Sequence, residues 1–148
     1  MPDFDWQIAR GSGVVSEPLA LRDDGGCFAC GERNPIGLRL KFRWDGEEYL
    51  TDFTVRPEHA GWAGVAHGGL LATVLDEVMA RLVWEKGHTA ITAKLEVRFR
   101  RPVKVGEPLV VAGWLVRASG RAVETRAEAR AGDGSVVAEA AAIALPPR

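Results

Sequence analysis

Cysteine is scarce in this chain: 148 residues contain two, Cys27 and Cys30. Two thiols cannot build a disulfide framework. A zinc centre wants about four ligands, and no histidine pair accompanies Cys27-x-x-Cys30, although a symmetric dimer would assemble four thiols. The redox reading of the pair lacks a thioredoxin-like context. No metal is therefore expected. An excess of either charge is also missing, with 19 Lys plus Arg against 20 Asp plus Glu, so nucleic acid is not expected as a partner. No apolar run approaches the roughly 20 residues that span a bilayer, so no membrane segment is expected. The opening "MPDFDWQIARGSG" has neither a basic start nor an apolar core, so a leader is not expected and a cytoplasmic location is.

What remains is an ordinary globular composition, 47% apolar and 26% charged, with enough chain for one sizeable core. Residues 1–26 are punctuated by Gly and Asp without a sustained period and read as an N-terminal arm, with a short helix expected near "PLALR". Residues 27–148 read as one domain. "CFACGERNPIGL" is dense in turn formers and reads as a structured loop. "LRLKFRWD" and "YLTDFTV" alternate apolar and polar residues across "DGEE", the pattern of a hairpin. "RPEHAGWAGVA" (56–66) reads as a loop.

One long helix is expected from Gly68 to Lys86, stopped by Gly87 as its C′ residue. Leu70, Leu71, Val74, Leu75, Val78 and Leu82 form its apolar stripe. The remainder, "TAITAKLEVRFRRPV", "EPLVVAGWLVRAS", "RAVETRAEARA" and "SVVAEAAAIAL", alternates between turn signals and reads as a four-strand meander. A single helix with so much apolar surface must be wrapped by the sheet, which predicts an α+β fold.

The chemistry-bearing stretch is "AHGGLLATVLDEVMA" (66–80). A helix N-terminus carries unpaired N–H groups and the positive end of the macrodipole. Glycine there lets a ligand oxygen approach, or lets the helix pack close to a strand. His67 reads as a cap or a loop stiffener. Of the two acids, Glu77 has Arg81 four residues on and reads as an ion-paired surface group. Asp76 has no base at three or four positions either way. It shares a line with the small residues Gly69, Thr73 and Ala80, which leaves room for a ligand beside a nucleophile or general base, or for an ordinary exposed carboxylate. Gly68 and Asp76 lie roughly 12 Å apart along a helix. One reacting group cannot touch both unless the second comes from another copy of the chain.

Taken in order, "AHGGLLATVLDEVMA", "TAKLEVRFRRPVKVGEPL" and "GDGSVVAEAAAIAL" resemble the hotdog-fold acyl-CoA thioesterase superfamily, and within it the phenylacetyl-CoA-type enzymes, over residues 27–145. The resemblance implies a long antiparallel sheet around one central helix. It implies hydrolysis of an acyl-CoA thioester, with coenzyme A as part of the substrate and no separate cofactor. It further implies a site at a homodimer interface, in a homodimer or a homotetramer of two such dimers. Gly68 would polarise the thioester carbonyl through its N–H. Asp76 would attack the carbonyl or activate water, and Thr92 would position that water. Many relatives carry Asn or Gln six or seven residues before the motif histidine, where this chain has Gly61 and Ala60; His59 is the nearest polar side chain that can stand in. Trp62 is the expected pocket aromatic. Arg98, Arg100 and Arg101 are candidates for the coenzyme A phosphates, or simply solubilising strand residues. A hotdog enoyl-thioester hydratase or dehydratase and a non-catalytic acyl-CoA binding module are the rival readings.

Overall fold

The computed structural model describes residues 19–148. Its sheet is wholly antiparallel. It contains β1 (Phe42–Asp45), β2 (Glu48–Thr54), β3 (Ile91–Phe99), β4 (Pro108–Ser119), β5 (Ala122–Ala131) and β6 (Val136–Leu145), in the order β1-β2-β4-β5-β6-β3. One α-helix, α1 (Gly68–Glu85), packs against the sheet. The α+β architecture is as the periodicities predict, and a sheet around one helix is the hotdog arrangement that the resemblance implies; the expected four-strand meander does not form, because β3 crosses the sheet to pair with β6 rather than with β4. Among the described residues no helix is long and apolar enough to cross a membrane.

The helix sits close to the sheet because the strands beneath it carry small side chains. Ala127, Ala129, Ala138, Ala140 and Ala142 are buried in the same core as Leu71, Val74, Leu75, Val78, Met79 and Leu82. At Gly113 on β4, a Cβ would stand 3.3 Å from Val78 Cγ1. Leu70, expected on the core stripe, is half-buried and turns toward a cavity beside the helix start. Leu75 is fully enclosed. Leu75→Ala is expected to lower unfolding stability by about 2–5 kcal/mol, because interdigitated neighbours cannot close the void. Urea denaturation should show a lower midpoint at unchanged slope.

The helix stop is as expected. Gly87 has φ 85°, its N–H donates to Trp84 O (2.9 Å) and the His88 N–H donates to Val83 O (3.1 Å), which is a Schellman closure. Three local expectations are corrected. The part of the "PLALR" helix within the described residues, Leu19–Arg22, is not helical, and the rest of the arm before it lies outside them. So short a segment cannot nucleate alone, and Asp23 and Asp24 directly after it accept from Gly25 N–H (3.0 Å) and Gly26 N–H (2.8 Å) in turns that compete with helix. The first strand begins at Phe42, not Leu38. Arg39 interrupts it at φ 54°, and Leu38 and Leu40 pair instead with Phe28 and Ala29 of the loop. A 3-10 turn at Pro57–His59 stands within the stretch expected to be loop throughout.

Candidate active site

The start of α1 is built so that one donor remains. His67 is the N-cap, and its Nδ1 accepts from Gly69 N–H at 2.9 Å. The N–H groups of Leu70 and Leu71 both donate to His67 O, at 3.0 and 3.3 Å. Gly68 N–H is the donor of this first turn left without a partner among the described residues. His67 is itself held by donating its N–H to His59 O (2.8 Å), and the adjoining Ala66 N–H donates to Val103 O (2.8 Å). A Cβ at Gly68 would stand 3.3 Å from Phe99 Cζ, so the missing side chain leaves room for the Phe99 ring beside the glycine.

Asp76 lies two turns further along. Thr92 Oγ1 donates to Asp76 Oδ1 at 2.8 Å. Strict alternation would place Thr92 with Lys94, Glu96 and Arg98 on the far side of the sheet. A bulge prevents this: β3 shifts register between Thr92, paired with Ala144, and Lys94, paired with Ile143. The extra residue, Ala93, turns Thr92 to the helix side, since a one-residue slip exchanges faces. No cation pairs with Asp76 among the described residues. Burial raises its carboxyl above the ordinary aspartate value, opposed by the Thr92 hydrogen bond, which lowers it. A desolvated carboxylate held by one hydroxyl is a stronger base than an exposed one.

Gly68 thus adjoins Phe99 at one end of β3, and Asp76 adjoins Thr92 at the other. The sequence model of the thioesterase superfamily matches residues 63–138, a span that covers all of these groups. The chain belongs to the thioesterase superfamily. Acyl-coenzyme A thioesterase 13 of Homo sapiens is 30% identical over 70 residues, which are 46% of this chain and 50% of the relative; the chain thus spans about half the length of the curated relatives it matches. The phenylacetic acid degradation protein PaaI of Thermus thermophilus, solved as a mutant, is 25% identical with a TM-score of 0.67, over 74% of this chain and 94% of that one. A hypothetical thioesterase of Streptococcus pneumoniae, solved with coenzyme A, shares the fold at a TM-score of 0.68 and 18% identity, over 72% of this chain and 84% of that one.

In this thioesterase-superfamily chain, a cavity of about 880 Å³ opens beside the helix start. His59, Ala60, His67, Gly69 and Thr73 line one side, and Phe28, Ile36, Leu38 and Arg39 of the cysteine loop line the other. Thr73 Oγ1 donates to Gly69 O (2.9 Å) and His59 is buried. His59 Nδ1 accepts from Arg56 N–H at 3.1 Å, and burial, with Arg56 beside it, holds its imidazole below the usual value. His59 therefore serves the loop's structure as well as the cavity wall. Gly61 is closely packed, because a Cβ there would lie 3.2 Å from His67 Cα.

Other expected residues lie elsewhere. Trp62 is 84% exposed and does not line this cavity; it begins a turn closed by Val65 N–H donating to Trp62 O (2.9 Å). Arg98 lines a groove with Glu96, Arg126 and Glu139 on the opposite sheet face. Arg100 pairs with Glu139 (2.7 Å) and Arg101 with Glu107 (2.6 Å). Glu77 does not pair with Arg81, which reaches Asp23 at 2.9 Å and Glu85 at 3.8 Å. The Cys27 thiol instead donates to Glu77 Oε1 at 3.5 Å. The N-terminal loop supplies partners on both sides and overrides the local spacing. Phe99 over Gly68, and Phe28 and Ile36 in the cavity wall, were not singled out from the sequence. Only the apolar positions of an edge strand and of a turn-rich loop could have hinted at them.

Proposed function

We propose that this protein hydrolyses an acyl-CoA thioester to free coenzyme A and a carboxylic acid, with Gly68 of one copy and Asp76 of another acting on one carbonyl. The observation that carries the reading is Asp76: a desolvated carboxylate without a cation, held by Thr92. In the reaction the carbonyl oxygen takes the Gly68 N–H, where the helix start favours developing negative charge. Asp76 either adds to the carbonyl carbon or takes a proton from water that does so, and the thiolate of coenzyme A leaves. Thr92 holds the carboxylate in the attacking orientation. No metal or prosthetic group enters these steps, and a cytoplasmic setting fits them.

The edge strand supports the two-copy site. Among the described residues β3 has β6 as its one neighbour, so one row of its backbone groups is unpaired there, as on any sheet edge. It also exposes Ile91 (44%), Leu95 (37%) and Phe99 (50%). An antiparallel pair of β3 strands centred midway between Thr92 and Phe99 covers these side chains. It also sets the Gly68 end of one copy against the Asp76 end of the other, which the roughly 12 Å between the two residues along one helix forbids within a single chain. The curated acyl-CoA thioesterase relatives favour coenzyme A thioesters as the substrate class.

The test is release of free thiol from short, medium, long and aromatic acyl-CoAs, read with a thiol reagent. Turnover of at least one class is expected. Tight binding without thiol release would replace the hydrolase with a binding module. Hydration of an enoyl-CoA without thiol release would replace it with a hydratase.

A further inference from the structure

We propose that Cys27, Cys30 and Glu77 bind one zinc ion, which fastens the 27–40 loop to α1. This is independent of the hydrolase reading and departs from the sequence expectation of no metal. The ligand atoms of the three residues all lie within 4.8 Å of one another, and each residue is half-buried. Tetrahedral zinc with two thiolates needs sulfurs about 3.7 Å apart, given Zn–S bonds of about 2.3 Å, so closing the site requires small side-chain rotations only. The loop is shaped to present both sulfurs. Gly31 N–H donates to Cys27 O at 2.9 Å. A Cβ at Gly31 would stand 2.4 Å from Gly25 O and 2.5 Å from Cys27 N, so only glycine permits this reversal directly after Cys30.

The charges also fit a cation. Two thiols and a carboxylate crowd together here, with the Cys27 thiol donating to Glu77 Oε1 at 3.5 Å. Zinc displaces the two thiol protons to solvent and takes two thiolates and the carboxylate, with water completing the shell. That complex carries one net negative charge. Arg81, one turn after Glu77, pairs with Asp23 and Glu85, and its Nε is buried without a hydrogen-bond partner among the described residues. Two soft sulfurs favour zinc over magnesium or calcium. The loop so fastened carries Phe28, Ile36 and Leu38, the wall of the cavity facing Gly69 and Thr73.

The experiment uses the untagged full chain, stripped with a chelator under reductant and titrated with Zn²⁺ against a chromophoric chelator, and in parallel with Co²⁺. One equivalent of zinc per chain, release of about two protons and a near-ultraviolet sulfur-to-cobalt charge-transfer band are expected. Cys27→Ser should weaken that band, and Glu77→Gln should lower zinc affinity by at least about tenfold. Asp76→Ala should bind zinc as wild type does, whatever its activity. Thiols that react freely in excess zinc, a chain lighter by two hydrogens through a Cys27–Cys30 disulfide in freshly purified protein, or equal zinc uptake by Cys27→Ser/Cys30→Ser would each overturn the proposal. Should the cysteine variants fail to fold, Glu77→Gln and the cobalt spectrum of wild type still decide it.

Discussion

Asp76→Asn is expected to lower acyl-CoA hydrolysis by at least about 100-fold and, at neutral pH, to raise the thermal midpoint. The amide keeps the shape of the side chain and an oxygen to accept from Thr92 Oγ1. What it removes is an ionised carboxyl that burial disfavours and no cation among the described residues offsets. Because its folded-state pKa is raised above the ordinary 3.8, the wild-type carboxyl is most favourable to folding when protonated. That contribution is full below 3.8 and is lost as the pH rises through the higher folded value. The advantage of Asp76→Asn is therefore present at pH 7 and shrinks as the pH is lowered toward 3.8. Calorimetry of both proteins across this range, with thiol release on the same samples, measures both effects. Unchanged turnover would remove Asp76 from the chemistry. An unchanged or lower midpoint at pH 7 would mean that the group does not carry the strain expected of a functional site.

The parts legible in the sequence are those with a period. The helix from Gly68, its Gly87 stop and the β1–β2, β4–β5 and β5–β6 hairpins follow from spacing and turn chemistry, and the α+β architecture follows from them; the place of β3 beside β6 does not. His67 as a cap and Asp76 as the acid apart from any base were legible too, because both depend on neighbours within one helical turn. Whatever depends on two distant segments was not. Alternation along β3 puts Thr92 on the wrong face, and the resemblance rather than the pattern singled it out; the bulge at Ala93 is a tertiary event. Glu77 illustrates the same limit. Its i+4 arginine is the nearest partner in sequence, but the loop some 50 residues earlier brings a thiol, while Arg81 turns to Asp23. Arg98, Arg100 and Arg101 were grouped by proximity along the chain. The sheet sends the first to its outer face and pairs the other two with acids.

A site shared between copies makes a prediction that no single variant can. Gly68→Val and Asp76→Ala are each expected to be inactive alone. The first fills the space over the free N–H, beside an exposed Phe99 ring that can move aside; the second removes the carboxylate. Neither change falls in the fully buried core. When the two are refolded together in equal amounts, half of the dimers are mixed, and each mixed dimer joins an intact Gly68 to an intact Asp76 at one of its two sites. The mixture should then recover about one quarter of wild-type turnover, as isologous two-fold pairing requires. Native mass spectrometry of the same sample counts the mixed dimers, so activity can be compared with the population that carries it. Mixed dimers without recovered activity would return both groups to one chain, where the roughly 12 Å between them along α1 would have to be bridged by the substrate.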